Sequence, residues 1–530
     1  MANEGSTAAH LPEGITDESV EAGVWRYARA SRASLVVDGA DYFAHMQAAM
    51  LQARQRIFLI GWDFDTRIHL GVGRRWWQKG WRRIPPRRLG NFIPWLIRSN
   101  RGLEVLILKW GVGALAFILR GTMFLDILRW APRQRIQFKF DSAHPLGCSH
   151  HQKIVVIDEA FAVCGGIDMT AGRWDTPQHL PHDRLRRGPG RKAYGPWHDM
   201  SLMMEGDVAV ALADLGHQRW CHAGGRDLPR CAPPADSAWP DKLVAQFTDV
   251  EIGIARTRAA HGNLPQVTEI EQLFVRQIAA ARRYIYAENQ YFASRAVCEA
   301  IARRLSEPDP PEVLIINPAT AEGFLEVVAM DFARAELVEA VEALDTHDRF
   351  AIFAPYAADD VPIYVHAKLL IVDDQVLRVG SANFNNRSMG LDSECDVFID
   401  CARPGNASAS AAIRAIHHSL LAEHCGISPD AVAAMLQQHG SMAGMIEALA
   451  GRPGMRLRRF HPPALGEVER LLATRKTLDP ERPDEIFAPA THKRGLFRPG
   501  SLLAWARAKA RRRATRKAER KAAAPDELLD

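Results

Sequence analysis

The sequence predicts an α/β protein in which one unit is built twice. Three observations carry this. Helical patterns alternate with short apolar, strand-like segments along most of the 530 residues. The order of those segments repeats with a long period. The apolar segments are also continuous rather than alternating, as in strands buried on both faces beneath helices. A parallel or mixed sheet covered by helices, in two packed halves, is therefore expected.

The first copy opens on a helical pattern in which Phe43, Met46, Met50 and Ala53 recur before a β-rich segment at 57–62. Its counterpart, EIEQLFVRQIAAARR from Glu269, runs into a strand at 284–287. LEVLILKW (103–110) is echoed by PEVLIINP (311–318), and IQFKF (136–140) by RFAIF (349–353). Each copy ends alike, in HHQKIVVID (150–158) and VHAKLLIVDD (365–374). The predicted organisation is an N-terminal segment at 1–30, a first lobe at 31–229, a Pro/Ala-rich linker at 230–240, a second lobe at 241–430, and a helical, loop-rich extension with a basic tail at 431–530. Segments without a counterpart, 71–90 and 175–196, are expected as loops, with His179 and His182 as loop residues.

Hydrophobic residues make up 47% and charged residues 24% of the chain. That is ordinary for a folded soluble protein and excludes a mostly disordered or multi-span membrane class. The longest uncharged apolar stretch, 110–119, has ten residues, whereas a spanning helix needs about 17. The opening MANEGSTAAH shows neither a basic nor an apolar leader region. Eight cysteines without a C-x-x-C pair read as reduced thiols. A cytoplasmic protein is expected, with secretion by a leaderless route left open. Residues 493–521 carry +11 of the net +5, which leaves −6 on the remainder. Attraction to an anionic membrane surface is thus assigned to the tail, and to the Trp/Arg-rich segment RRWWQKGWRR at 74–83. The expected state is a monomer in peripheral contact with membrane.

Chemistry concentrates in one repeated arrangement. His151-Gln-Lys153 is followed by IVVI and Asp158, and His366-Ala-Lys368 by LLIV and Asp373. Both are H-x-K-x4-D. Residues i and i+2 of a strand share a face, so each His and Lys point the same way. By chance one such motif is expected in roughly 0.05 of chains of this length, and two in about 0.001. Seventeen residues beyond each His stand Asp168, in GGID, and Asn383, in GSAN. Asp158 and Asp373 lie about 16 Å down the strand from the histidines, so they read as structural motif residues that satisfy loop backbone groups.

These residues resemble the duplicated HKD motif of the phospholipase D superfamily. GGIDMTAGRWDT (165–176), GPWHD (195–199) and ENQYF (288–292) are similar to its phospholipase D proper branch. The resemblance implies two similar α/β/α sandwich lobes related by a pseudo-twofold, here with a helical and basic C-terminal extension, and one active site between them. It implies phosphodiester chemistry without metal or cofactor. Lys153 and Lys368 would neutralise phosphate oxygens, with His151 as nucleophile and His366 as acid/base; the near-symmetric motifs themselves leave those two roles open. Glu394 and Asp199 match the orienting acids, and Asn383 and Ser381 would donate to phosphate. Gly166, Trp197, His198, Asn289 and Tyr291 are assigned to the substrate pocket. Asp168 replaces the usual Asn and is kept out of phosphate contact, because a carboxylate would repel the anion.

The implied substrate is a glycerophospholipid, for example phosphatidylcholine cleaved to phosphatidic acid and choline, by hydrolysis or by transfer to an alcohol. The alternatives are a cardiolipin synthase-like phosphatidyltransferase, a nuclease of the same family, and a catalytically inactive membrane-binding scaffold. The acidic body and the Trp-rich segment favour lipid, so no nucleic-acid partner is expected. Asp63 and Asp65 are read as capping residues. His417, His418, His424 and Cys425 are read as helix-surface residues rather than a zinc site.

Overall fold

The outer apolar segments of each half are joined by helical crossovers, which favours parallel pairing; the inner ones are joined by tight turns, which favours antiparallel pairing. A computed structural model of the chain shows both. It describes residues 21–71, 73, 84–111, 122–323, 330–467, 469–470, 479–481 and 495–522. The segment at 74–83 therefore lies outside the described residues.

The strands of the first half are β1 (Arg26–Val37), β2 (Arg56–Gly61), β3 (Glu104–Trp110), β4 (Ile136–Asp141), β5 (Ile154–Ile157), β6 (Phe161–Gly165), β7 (Trp197–His198) and β8 (Met200–Glu205). Those of the second are β9 (Phe247–Arg258), β10 (Val267–Thr268), β11 (Tyr284–Asn289), β12 (Glu312–Ile316), β13 (Phe350–Pro355), β14 (Tyr364–Val365), β15 (Lys368–Val372), β16 (Val376–Gly380) and β17 (Glu394–Asp400), with β18 (Leu457–Arg459) beyond. Among the described residues, sixteen strands join one mixed sheet, along the path β18-β13-β12-β11-β15-β16-β17-β9-β1-β8-β6-β5-β2-β3-β4, with β10 beside β9. Read outward from the central antiparallel pair β1/β9, the order is β1-β8-β6-β5-β2-β3-β4 one way and β9-β17-β16-β15-β11-β12-β13 the other. The two halves correspond strand for strand, and the three outer strands of each are parallel.

Helices α1 (Gly39–Gln52), α2 (Leu89–Ser99), α3 (Thr122–Trp130), α4 (Asp207–His222), α5 (Glu269–Ala280), α6 (Arg295–Leu305), α7 (Phe332–Glu342), α8 (Asn386–Gly390), α9 (Ala409–Cys425), α10 (Pro429–His439), α11 (Met442–Ala448) and α12 (Leu502–Ala522) cover both faces. One face carries a single core shared by the halves. There Phe58, Ile60, Val156, Leu314, Leu369 and Ile371 pack with α4 and α9. On the other face each half has its own core, around Ile57, Leu59 and Val155 in the first and Ile285, Val313 and Leu370 in the second. This two-sided burial is why the strands read as unbroken apolar runs. The 230–240 segment is not a free tether: Ala238 and Trp239 are buried, and Arg32 lies 5.0 Å over the Trp239 ring. The basic tail begins as α12, with Leu503 and Ala506 buried and Arg507 Nε donating to Glu336 at 2.6 Å. Among the described residues, no helix is long and apolar enough to cross a membrane.

The aspartates that end the two motifs sit at equivalent turns. Asp158 (φ 51°) accepts backbone N–H groups of Arg54, Gln55 and Arg56 at 2.7, 2.8 and 2.7 Å. Asp373 (φ 56°) accepts those of Arg282, Arg283 and Tyr284 at 2.7, 2.8 and 2.8 Å. Each carboxylate thus clamps the entry of the strand that leads to the site, and each tolerates a left-handed backbone that suits Asp. Asp158→Ala or Asp373→Ala, stripping three acceptor contacts at once, is expected to cost about 2–4 kcal/mol. Chemical denaturation should show it as a lower midpoint at unchanged slope.

Candidate active site

The last residues before β5 and β15 bring the two histidines to the seam between the halves, and each is held by a carboxylate of the opposite half. His151 Nδ1 lies 3.1 Å from both oxygens of Glu394, at the start of β17, and 3.1 Å from the Ser381 carbonyl. The Ser381 carbonyl can only accept, so Nδ1 carries the proton and Nε2 keeps its lone pair. His366 Nδ1 donates to Asp199 Oδ2 at 2.7 Å. The backbone makes the same crossing. His151 N donates to Ser393 O at 2.8 Å, and His366 N to His198 O at 2.7 Å. The short strands β7 and β14 pair in parallel, Tyr364 with Trp197 and Val365 with His198.

Burial, then the charges of Lys153 and Lys368, holds the His151 imidazole well below its usual pKa. Burial and then Lys368 do the same for His366, with Arg173, Lys153 and His151 adding to it. Both rings are therefore neutral near pH 7. Burial raises Glu394 to about 8 and Asp199 to about 7. Lys368 is pushed down to about 7 by burial, with Lys153 adding to the effect. The two lysines differ in their partners. Lys153 Nζ is 3.2 Å from Asp168 Oδ2, whereas Lys368 Nζ donates to the neutral Gln290 Oε1 at 3.0 Å. Asp168 is thus turned onto Lys153, and its other oxygen accepts from Trp62 N at 3.1 Å.

Trp197 lies against His366 with ring centroids 5.0 Å apart and stacks on Tyr364 at 4.8 Å. Asn383 is buried; its backbone N–H donates to Ser388 Oγ at 3.1 Å and its Oδ1 has no partner among the described residues. A cavity of about 1290 Å³ opens beside Thr170–Trp174, lined by Arg88, Arg98, Arg133, Trp95 and Trp130 among others.

Several expected substrate contacts are corrected. The Ser381 hydroxyl donates to Glu394 Oε2 and accepts from Cys395 N at 3.0 Å, so it steadies the orienting acid instead of meeting phosphate. Gly166 faces Asp199: a Cβ there would lie 2.0 Å from Asp199 Oδ1, so the glycine makes room for the other acid. His198 is fully buried on the opposite side of its strand, with Nε2 2.6 Å from Glu288 Oε2. Asn289 accepts from Phe384 N at 2.9 Å and donates weakly to Ala382 O at 3.5 Å, bracing the loop that carries Asn383. Tyr291 is buried, and its hydroxyl accepts from Gln290 Nε2 at 2.9 Å. Asp63 is more than a cap, reaching Lys109 at 3.3 Å and accepting from Thr170 Oγ1 at 2.8 Å; Asp65 pairs with Arg67 at 2.7 Å. His179 lies in a loop as expected but is fully buried there, and His417 and His424 are buried instead of lying on the helix surface. Two site residues escape sequence reasoning. Gln290 holds Lys368, and Arg173 lies 4.1 Å over Trp197 with its charge felt by His366. Both stand inside quoted motifs, ENQYF and GRWDT, but Gln290 lies just beyond the end of β11, where strand alternation from Glu288 no longer tells which way it points.

A family model described as Phospholipase D matches residues 127–298 and 339–467, more than half of the chain, and includes both motifs and both orienting acids. The chain is similar to Phospholipase D1 of Saccharomyces cerevisiae, with 24% identity over 463 residues that cover 69% of this chain and 26% of that protein. It is also similar to Phospholipase D alpha 1 of Zea mays, with 25% identity over 400 residues, 53% of this chain and 49% of that protein. It spans between a quarter and a half of the length of these relatives. The crystal structure of phosphatidylserine synthase from Haemophilus influenzae Rd KW20 aligns over 92% of this chain and 94% of that one, with a TM-score of 0.50 and 12% identity, a likeness of fold.

Proposed function

The chain belongs to the phospholipase D family, and on that footing we propose that it cleaves the head-group phosphodiester of a glycerophospholipid through a covalent phosphohistidine. The observation that carries this reading is the crossed pair of neutral imidazoles, each with a carboxylate on Nδ1 and a buried lysine alongside. His151 Nε2 attacks phosphorus, forming a P–N bond as the P–O bond to the head group breaks. Lys153 and Lys368 stabilise charge on the nonbridging oxygens in the five-coordinate transition state, and Asn383 adds a hydrogen bond. The incoming phosphate anion raises the proton affinity of His366, so that its Nε2 takes up a proton from solvent on substrate binding and passes it to the departing alcohol. It then takes a proton from water or from a second alcohol, which releases the phosphatidyl group. The basic tail and the 74–83 segment supply contact with the membrane surface.

The arginine-lined cavity favours a second reading, transfer of the phosphatidyl group to an anionic phospholipid acceptor, as a cardiolipin synthase-like enzyme would do. Vesicles of labelled phosphatidylcholine with ethanol test the main reading. Phosphatidylethanol beside phosphatidic acid is the expected product pair. Cleavage of DNA without lipid turnover, or vesicle binding without any product, would overturn it in favour of a nuclease or a scaffold.

A further inference from the structure

Behind the catalytic pair the halves meet in a second cluster that the proposed chemistry leaves unused. Asp38 follows β1, His179 lies in the 175–196 loop, His198 in β7 and Glu423 on α9. The side chains of Asp38, His179 and His198 are fully buried, and that of Glu423 is 11% exposed. We propose that these four residues form a tetrahedral site for a first-row divalent cation, zinc fitting best, that pins the two halves together beneath the active site.

The spacing is that of ligands around one ion. His179 Nε2 is 3.5 Å from Asp38 Oδ2 and 3.1 Å from Glu423 Oε1; His198 Nδ1 is 3.3 Å from Asp38 Oδ1 and 3.2 Å from Glu423 Oε1. A tetrahedron with ligands about 2.05 Å from its centre has edges of about 3.3 Å. One donor atom from each residue fits within a span of 4.8 Å. Two of the facing atoms, Asp38 Oδ2 and His198 Nδ1, have no well-aligned hydrogen-bond partner among the described residues, although both are buried. His179 Nε2 and Glu423 Oε1 are hydrogen-bonded at 3.1 Å, and an ion would replace that bond while giving the two leftover atoms a partner.

The outer contacts follow the same logic. A metal-bound imidazole usually gives its second N–H to a carboxylate, which fixes the ring and raises its basicity. His179 Nδ1 lies 2.9 Å from Asp175 Oδ2, and His198 Nε2 lies 2.6 Å from Glu288 Oε2. Both outer acids are themselves anchored. Asp175 accepts from Arg186 at 3.0 Å and Trp197 N at 2.8 Å, and Glu288 accepts from the Tyr286 hydroxyl at 2.5 Å. Two imidazoles and two carboxylates suit zinc or a neighbouring divalent ion and not calcium, which takes oxygen ligands alone. The competing arrangement holds protons in place of the ion. Burial opposes charge on His179, but Asp38, Asp175 and Glu423 outweigh it and lift its pKa to about 9.

The site would act by positioning, since no ligand reaches the reacting atoms. Asp38 N donates to Asp199 O at 2.7 Å, and the His198 carbonyl receives His366 N. An ion here would therefore fix the strand that presents Trp197 and Asp199 to His366. The test uses the full chain, stripped by chelator and then re-exposed to zinc. Elemental analysis should find about one zinc per chain, the melting temperature should rise by roughly 5 °C or more on reloading, and cobalt substitution should give the intense visible bands of a tetrahedral centre. Glu423→Gln, at the most accessible ligand, should lose stoichiometric binding while the chain still folds. A wild-type chain that binds no zinc above background, with a melting temperature indifferent to zinc, overturns the proposal and leaves a proton-held ion cluster.

Discussion

His151→Ala and His366→Ala should each lower phospholipid turnover by about 10⁴-fold or more, because groups that act as one unit fail together when either is removed. The expectation rests on the seam geometry. Neither ring has a complete environment within its own half, since Glu394 comes to His151 and Asp199 to His366 across the joint. Two independent sites would behave differently: one substitution would leave about half the rate, and only the double variant would be inactive. Neither alanine removes a core contact on the scale of the buried strands, so circular dichroism and the melting temperature should stay near those of the parent chain. A folded single variant with a few per cent or more of the parent rate would end the shared-site mechanism.

What could be read in advance was local. H-x-K-x4-D states its own geometry, because a two-residue step on a strand puts His and Lys on one face and the final Asp at the turn. The period of the apolar segments likewise revealed the duplicated order of strands. Pairings across the joint left no local trace. His151 meets Glu394 at a separation of 243 residues and His179 meets Glu423 at 244, distances over which spacing says nothing. Some errors were avoidable. Trp197 and His198 are both assigned to the pocket, yet alternation sends adjacent residues to opposite sides, and His198 meets Glu288 on the far one. Other errors were not: Ser381 could donate to phosphate or to Glu394 with the same sequence, and only packing decides that Glu394 receives it.

The crossed carboxylates also separate the two histidine roles. In Glu394→Gln the amide can donate to Nδ1 of His151, favouring the tautomer that protonates Nε2 and removes the nucleophile; Asp199→Asn does the same to His366. A loss of about 10²–10⁴-fold is expected for each on phosphatidylcholine, by the logic that an orienting acid sets the imidazole tautomer. The Ser381 and Ser388 hydroxyls, which donate to Glu394, and Met200 N, which donates to Asp199 at 2.8 Å, keep the folded geometry close to that of the parent. The variants should diverge on a phosphatidyl ester of p-nitrophenol, a leaving group that departs without protonation. Asp199→Asn should then release a rapid burst of p-nitrophenol and stall, because the phosphohistidine forms but lacks its base. Glu394→Gln should show no burst, because the P–N bond never forms. The opposite pattern would exchange the roles of His151 and His366, and equal losses on both esters would mean that the carboxylates hold the fold and not the tautomers.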